Sequence, residues 1–380
     1  MKKKIIYWAT ILFAILYIAI GASIATKNIY RPQSDTHQTF EKAVVTGIIS
    51  RTSAETQVGG TNFGNGINIL FEARITSGKH KGETVNAIQN YDHTVPGQIR
   101  EVSEGDKIIL LNDSTMGTDV TWFLAEYVRA DIIILLAVAF MLFLIIFGRV
   151  KGLNTIISLL FTCLSIFAVF IPAILSGMNV YFWSILTSAF IVSTTLLIVN
   201  GADYKSLAAG AGCAGGVVVS AVLIELMDKF LRLTGMINDE AMYLLMLNQK
   251  DPIDLRAIVF GSIIIGAIGA ILDVSMDIAS SLKEIAASSE NPTASALFRS
   301  GMSIGRDIIG TMANTLILAY IGSSLSLVLL LVAYNNSLLY IFNQEMIVVE
   351  LLQSLVGSFG IMFAIPFTSI VAGTLYSLKK

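Results

Sequence analysis

Four ionisable side chains stand where apolar sequence should exclude them. Asp273 and Asp277 lie in IIIGAIGAILDVSMDIASSLKEI, and Arg306 and Asp307 lie in SGMSIGRDIIGTMANTLILAYIG. Asp273, Asp277, Ser280 and Glu284 follow i, i+4, i+7, i+11 spacing, which puts them on one helical face. Ser303, Asp307, Gly310 and Asn314 repeat that spacing on the next helix. Charge at membrane depth is costly, and retained charges usually face a bundle interior or a water-filled cavity. Carboxylates re-solvated there by hydroxyls and amides can carry a proton or a cation. Ser275, Ser280, Ser281, Ser303, Thr311 and Asn314 supply such groups. The hairpin from Ile263 to Gly322 is the expected functional centre. Its pathway residues are Asp273, Asp277, Arg306, Asp307 and Asn314.

The same residues admit a structural reading. Both aspartates could be solvated at a helix end beside Arg306. Arg306 and Asp307 could form an ion pair that locks the hairpin, and Asn314 could pin neighbouring helices. Arg306 could also offer its planar fork to an anionic substrate.

The elements that position these residues follow from composition. Of 380 residues, 54% are hydrophobic and 14% charged, where soluble domains carry about 25% charged residues. Mean hydropathy is +0.73. An all-α polytopic membrane bundle is expected. The net charge of −2 points to no polyanionic partner, and no basic patch suggests nucleic acid. Cys163 and Cys213 both sit in apolar sequence, so neither a disulfide framework nor a CxxC metal pair is expected. His37, His80 and His93 share one polar segment without ligand-like spacing. A nucleophile triad, a HExxH site and a P-loop are all missing, and Asp-x-x-x-Asp alone makes a weak divalent site. No cofactor, metal or catalytic residue is therefore expected.

Taken in order, residues 1–26 read as a first transmembrane helix. Its apolar run, Ile5 to Ala25, exceeds a signal-peptide core of about 7–15 residues, so it is expected to be retained. Residues 27–129 read as a small β-rich domain between helices 1 and 2. Strands are expected at Val44–Ser50, Ile67–Thr76, Glu83–Asn90, Lys107–Leu111 and Trp122–Val128. Five short strands suggest a small barrel, for which an OB-like fold is one option. The Gly59–Gly66 stretch reads as a flexible loop; it lacks the Lys-Ser/Thr of a phosphate loop.

Residues 130–380 read as a seven-helix membrane domain, giving about eight spans in all. The seven are expected near Ile132–Phe147, Leu153–Ile171, Tyr181–Val199, Ser206–Met227, Ile253–Val274, Asp307–Val332 and Leu351–Leu375. An interfacial segment is expected near 237–252, where AMYLLML is too short to cross. Basic residues cluster at Lys2–Lys4, Arg149, Lys151, Lys205, Lys283, Arg299, Lys379 and Lys380. The positive-inside rule then puts both termini in the cytoplasm and residues 27–129 outside. Gly212 and Gly216 form GxxxG, and with Gly266 and Gly269 they are expected to bring helices together. Pro366, with Thr368 and Ser369, is a candidate break in the last helix.

GAIGAILDVSMDIASSLKEI and SGMSIGRDIIGTMANTLILAYIG, with SLVGSFGIMFAIPFTS near the end, resemble the YibE/F family of bacterial multipass membrane proteins. The outer β-segment looks like its longer, YibE-type members. The resemblance implies a topology and a bacterial cell membrane rather than a reaction. It also implies a shorter sister protein, lacking the β-segment, as a partner.

The leading functional expectation is a transporter or permease using the charged hairpin for a substrate, cation or proton. Its surroundings would be the lipid bilayer and a homo-oligomer or the shorter sister. The alternative is a non-transporting scaffold whose outer β-domain binds an envelope component. A third reading is an intramembrane enzyme acting on a lipid headgroup. A polar cavity reaching Asp273 would favour the first, closed ion pairs the second, and a lateral opening the third.

Overall fold

Alternation of apolar and polar residues after Thr39 builds a closed five-stranded barrel. The computed structural model describes residues 2–27, 39–58, 61–92, 100–112, 122–247, 252–334 and 337–378. The strands are β1 (Thr39–Val58), β2 (Thr61–Ile75), β3 (Thr84–Asp92), β4 (Lys107–Asn112) and β5 (Trp122–Tyr127). They are ordered β1-β2-β3-β5-β4 around the barrel. β1 is long enough to pair twice, with Ala43 opposite Ile75 on β2 and Ile108 on β4. Its register shifts between Val45 and Gly47 and between Ile48 and Ser50, and such bulges let a strand curl. A short parallel pairing, Ala87 with Trp122 and Ile88 with Phe123, joins β3 to β5 and closes the sheet against edge pairing. Ile69, Phe71 and Ala73 alternate inward from β2, and Ile108 and Leu110 from β4, all fully buried.

The last three expected strands stand within two residues of their places, while β1 starts five residues before and ends eight residues after its expected bounds. The glycine stretch differs: Thr61–Gly66 belongs to β2, because it pairs with β1. Gly59, Gly60, His37 and His93 lie outside the described residues, as do Lys250, Asp251, Lys379 and Lys380.

The chain divides into two units, Met1–Tyr30 with Phe143–Lys380, and Arg31–Leu142. The helices are α1 (Lys2–Ala25), α2 (Ala130–Leu175), α3 (Val180–Asn200), α4 (Tyr204–Leu231) and α5 (Asp239–Leu247). Then come α6 (Leu255–Ser288), α7 (Ala294–Ser323), α8 (Leu325–Tyr334), α9 (Leu338–Ile341) and α10 (Glu345–Ser377).

Among the described residues, α1, α2, α3, α4, α6 and α10 are long and apolar enough to cross a membrane. α7 and α8 pass the same test together but bend by 62° where they meet; by length and composition this makes six spans, or seven if the bent pair is one and α2 is taken whole. Two expected spans, 132–147 and 153–171, run together in α2. Within Ala130–Leu164 the backbone leaves helical geometry at Arg149, with φ 47° and ψ −126°. A Cβ added at Gly152 would strike the Leu144 carbonyl oxygen, so the backbone doubles back sharply there. The span expected at 307–332 instead starts at Ala294, capped by Thr293, and bends after Ser323. The short α5 keeps Met242, Tyr243 and Met246 exposed.

α6 is the central helix. Asp254 caps its N-terminus by accepting from the Arg256 and Ala257 N–H groups. Ile263, Ile271, Val274, Ile278 and Leu282 are fully buried within it. α10 packs on α4, α6 and α7. The candidate break at Pro366 does not form, and α10 runs unbroken through it. Proline removes one backbone donor, but Ala364, Ile365 and Thr368 on either side are held by close packing. α1 is built into its unit: Tyr17 stacks on Phe190 with ring centres 4.0 Å apart. The Tyr7 hydroxyl also donates to Asn154 Oδ1 at 3.1 Å.

Candidate functional site: a polar stripe on two helices

α6 buries almost its whole circumference and leaves one narrow stripe open. Between Gly261 and Leu282 its exposed residues are Ser262, Gly266, Gly269, Asp273 and Asp277. No apolar side chain larger than glycine interrupts them. Steps of four, three, four and four residues keep the stripe straight along the helix. Glu284 continues it, with Ser280 half-buried beside it.

α7 splits in the same way. Ser303, Arg306, Asp307, Gly310, Thr311, Asn314 and Thr315 are exposed, while Gly301 and Gly305 are buried. The buried glycines bring the helix onto α10: a Cβ at Gly301 would land on Ser369, and one at Gly305 on Ile365. Small residues thus turn the polar face of α7 outward.

Among the described residues, no ion pair engages Asp273, Asp277, Arg306 or Asp307. The Arg306–Asp307 lock considered from the sequence does not form. Adjacent helical residues diverge by about 100° and do not face each other. Neither aspartate sits beside Arg306 as a counter-ion within 4.0 Å.

Several expected partners are committed elsewhere. Ser275 is buried and donates to the Ile271 carbonyl at 2.8 Å, off the stripe. Thr311 donates to the Ile308 carbonyl at 2.9 Å. Asn314 is exposed rather than pinned between helices. Two residues the sequence reading missed approach the far end of the stripe. A Cβ at Gly266 would lie 3.0 Å from the Tyr320 hydroxyl and 3.2 Å from Gln353 Nε2. Gln353 carried a signal, being the one amide within the expected last span.

The glycines divide. A Cβ at Gly212 would strike Thr368, and one at Gly216 would lie 2.6 Å from the Gly360 carbonyl oxygen and 2.8 Å from Ile271. These two let α4 approach α10 and α6. Gly269 has nothing within 4 Å; it lies on the open stripe, so it brings no helices together.

Several charges away from the stripe are paired. Lys229 reaches Glu225 at 3.3 Å and Arg256 reaches Asp228 at 3.8 Å. Glu345 accepts from the Thr234 and Gly235 N–H groups at 2.7 and 2.6 Å, tying the start of α10 to the turn after α4. In the barrel, Glu41 is buried and accepts from the Lys79 and His80 N–H groups at 3.1 and 3.3 Å. Among the described residues, no group of three or more metal-ligating side chains is assembled.

The family model described as YibE/F-like protein matches residues 136–378, well over half of the chain. The chain belongs to the YibE/F-like family. No curated protein and no solved structure was found to match it. The YibE/F-like stretch holds α3 to α10 with both polar faces, and the β-barrel lies outside it.

Proposed function

We propose that this YibE/F-like protein is a transporter or permease of the bacterial cell membrane, passing a proton or small cation along the polar faces of α6 and α7. One observation carries the reading. A helix packed on nearly every side has, between Gly261 and Leu282, only Ser262, Gly266, Gly269, Asp273 and Asp277 exposed, with Ile265, Ala270 and Met276 partly buried at the margins. A face turned to lipid would be apolar, and charges within a membrane face water or a protein partner. Carboxylates free of ion pairs can bind and release a cation more readily than closed pairs.

Asp273 and Asp277 act as the binding carboxylates, and Arg306 and Asp307 bound the path on the facing helix. A second copy, or a shorter sister protein, covers the stripe from the lipid side. The break at Arg149 is read as a turn between two spans, which with the bent α7–α8 pair gives eight. Both termini then lie inside and the barrel outside. The barrel is read as OB-like, from its strand order and the double pairing of β1.

The test is flux of protons and of alkali and divalent cations into proteoliposomes. Flux is expected for the intact chain and is expected to be lost in Asp273→Asn and Asp277→Asn. If no ion moves, or if both variants carry flux as the intact chain does, the transporter reading fails. The outer barrel would then be the functional part.

A further inference from the structure

α3 and α4, on either side of the turn at 201–203, flank a half-open groove of about 970 Å³. The space exists because α4 opposes α3 with Gly210, Ala211 and Ala214, which are too small to fill it. Its walls are mostly apolar, including Ile185, Val192 and Leu196 on α3, with Ser188 and Ser193 of the same helix among them. Ile185 and Val218, at its margin, are 53% and 60% exposed on the outer surface of helices able to span the membrane. The groove is therefore open on a face that these two helices would turn to lipid.

One end is charged. Asp203 and Lys283 line it and form an ion pair at 3.1 Å. Lys205 lies two residues further on and reaches the Asn200 amide oxygen at 3.3 Å. Among the described residues, Lys205 forms no ion pair. Asp203 has already engaged Lys283 and the Ser206 N–H. Lys283 lines this end, and Lys205, which does not line the groove itself, adds a second cation close by. Basic pockets between transmembrane helices take anionic lipid headgroups, and this volume lies at the upper end of the range of about 300–1,000 Å³ for ligand sites.

We propose that the groove holds one anionic phospholipid of the surrounding bilayer. An acyl chain lies along the walls of α3 and α4, and the phosphate meets Lys205 and Lys283. This is separate from the stripe on α6 and α7, so it stands whether or not the chain transports.

The full chain, purified in detergent, is offered phosphatidylglycerol, phosphatidylcholine or oleate and examined by native mass spectrometry. One phosphatidylglycerol per chain is expected to stay bound while phosphatidylcholine is released. Lys205→Gln is expected to weaken retention about fivefold, the effect of one lysine at a headgroup. Ala214→Trp fills the groove and is expected to abolish retention, with thermal unfolding confirming the fold. Val218→Trp at the margin takes its place if Ala214→Trp does not fold. Equal retention of phosphatidylcholine would overturn the anionic headgroup. Retention of oleate in preference to phospholipid would overturn the ligand class. Undiminished phosphatidylglycerol in the folded tryptophan variant would overturn the site.

Discussion

Asp203 and Lys283 join two helices through one carboxylate. Its Oδ2 meets Lys283 Nζ of α6 at 3.1 Å, while its Oδ1 accepts the Ser206 N–H at 3.0 Å and caps α4. Burial alone would raise the Asp203 carboxyl, but the Ser206 N–H and Lys283 outweigh it and hold it below its ordinary value. A lowered folded value stabilises the fold above the unfolded pKa of about 3.9, and that contribution fades as pH falls through the folded value. Asp203→Ala is expected to cost about 1 kcal/mol at neutral pH, mainly through the lost cap. Thermal unfolding of the intact chain and of Asp203→Asn should differ at pH 7 and converge below about pH 4. A constant difference down to pH 3 would contradict this role.

The glycines separate packing from open space. Gly216→Val must displace the Gly360 carbonyl or Ile271 and is expected to destabilise by about 1–3 kcal/mol. Gly269→Ala meets nothing and should stay within about 0.5 kcal/mol of the intact chain. Denaturant titration in micelles compares them. A larger penalty at Gly269 than at Gly216 would mean that the open stripe is covered in the assembled protein.

The charged hairpin yields an abundance prediction independent of flux. A carboxylate at the centre of a span costs about 2.5–3.5 kcal/mol on insertion scales. Asp273→Asn and Asp277→Asn should therefore insert at least as well as the intact chain. Arg306 has no carboxylate within ion-pair reach, so Arg306→Ala should leave abundance unchanged as well. Immunoblots of isolated membranes decide. Loss of Arg306→Ala protein, restored by adding Asp273→Asn, would place the arginine as counter-ion to that carboxylate.

The barrel should fold by itself. Expressed as Thr39–Tyr127, it closes its own sheet and buries its own core. Far-UV dichroism should show β-structure, and Phe71→Ala, at a fully buried position, should cost about 3–5 kcal/mol. A featureless spectrum for the isolated segment would show that it depends on the helices.

Orientation can be read by thiol labelling on intact cells. With Cys163 replaced by serine, a cysteine at exposed Lys81 should react with an impermeant reagent, and one at exposed Ser289 should not. Labelling at Ser289 would invert the proposed topology.

Composition and periodicity determined much of this protein. Apolar runs mark the helices because lipid admits little else, and the alternation around Ile67–Thr76 marks a strand because one face is buried. The i, i+4, i+7 spacing of Asp273, Asp277 and Ser280 determined that they share a face. It could not say what that face meets. Asp273 and Asp277 are exposed because the other sides of α6 are taken by neighbouring helices, and that depends on which helices pack there. Tertiary structure also decided that Ser275 points inward, that Gly216 touches α10 while Gly269 touches nothing, and that α10 stays whole across Pro366. Each outcome is set by atoms distant in sequence. The pairing of Asp203 with Lys283 is of the same kind, since no local pattern links residues 80 positions apart.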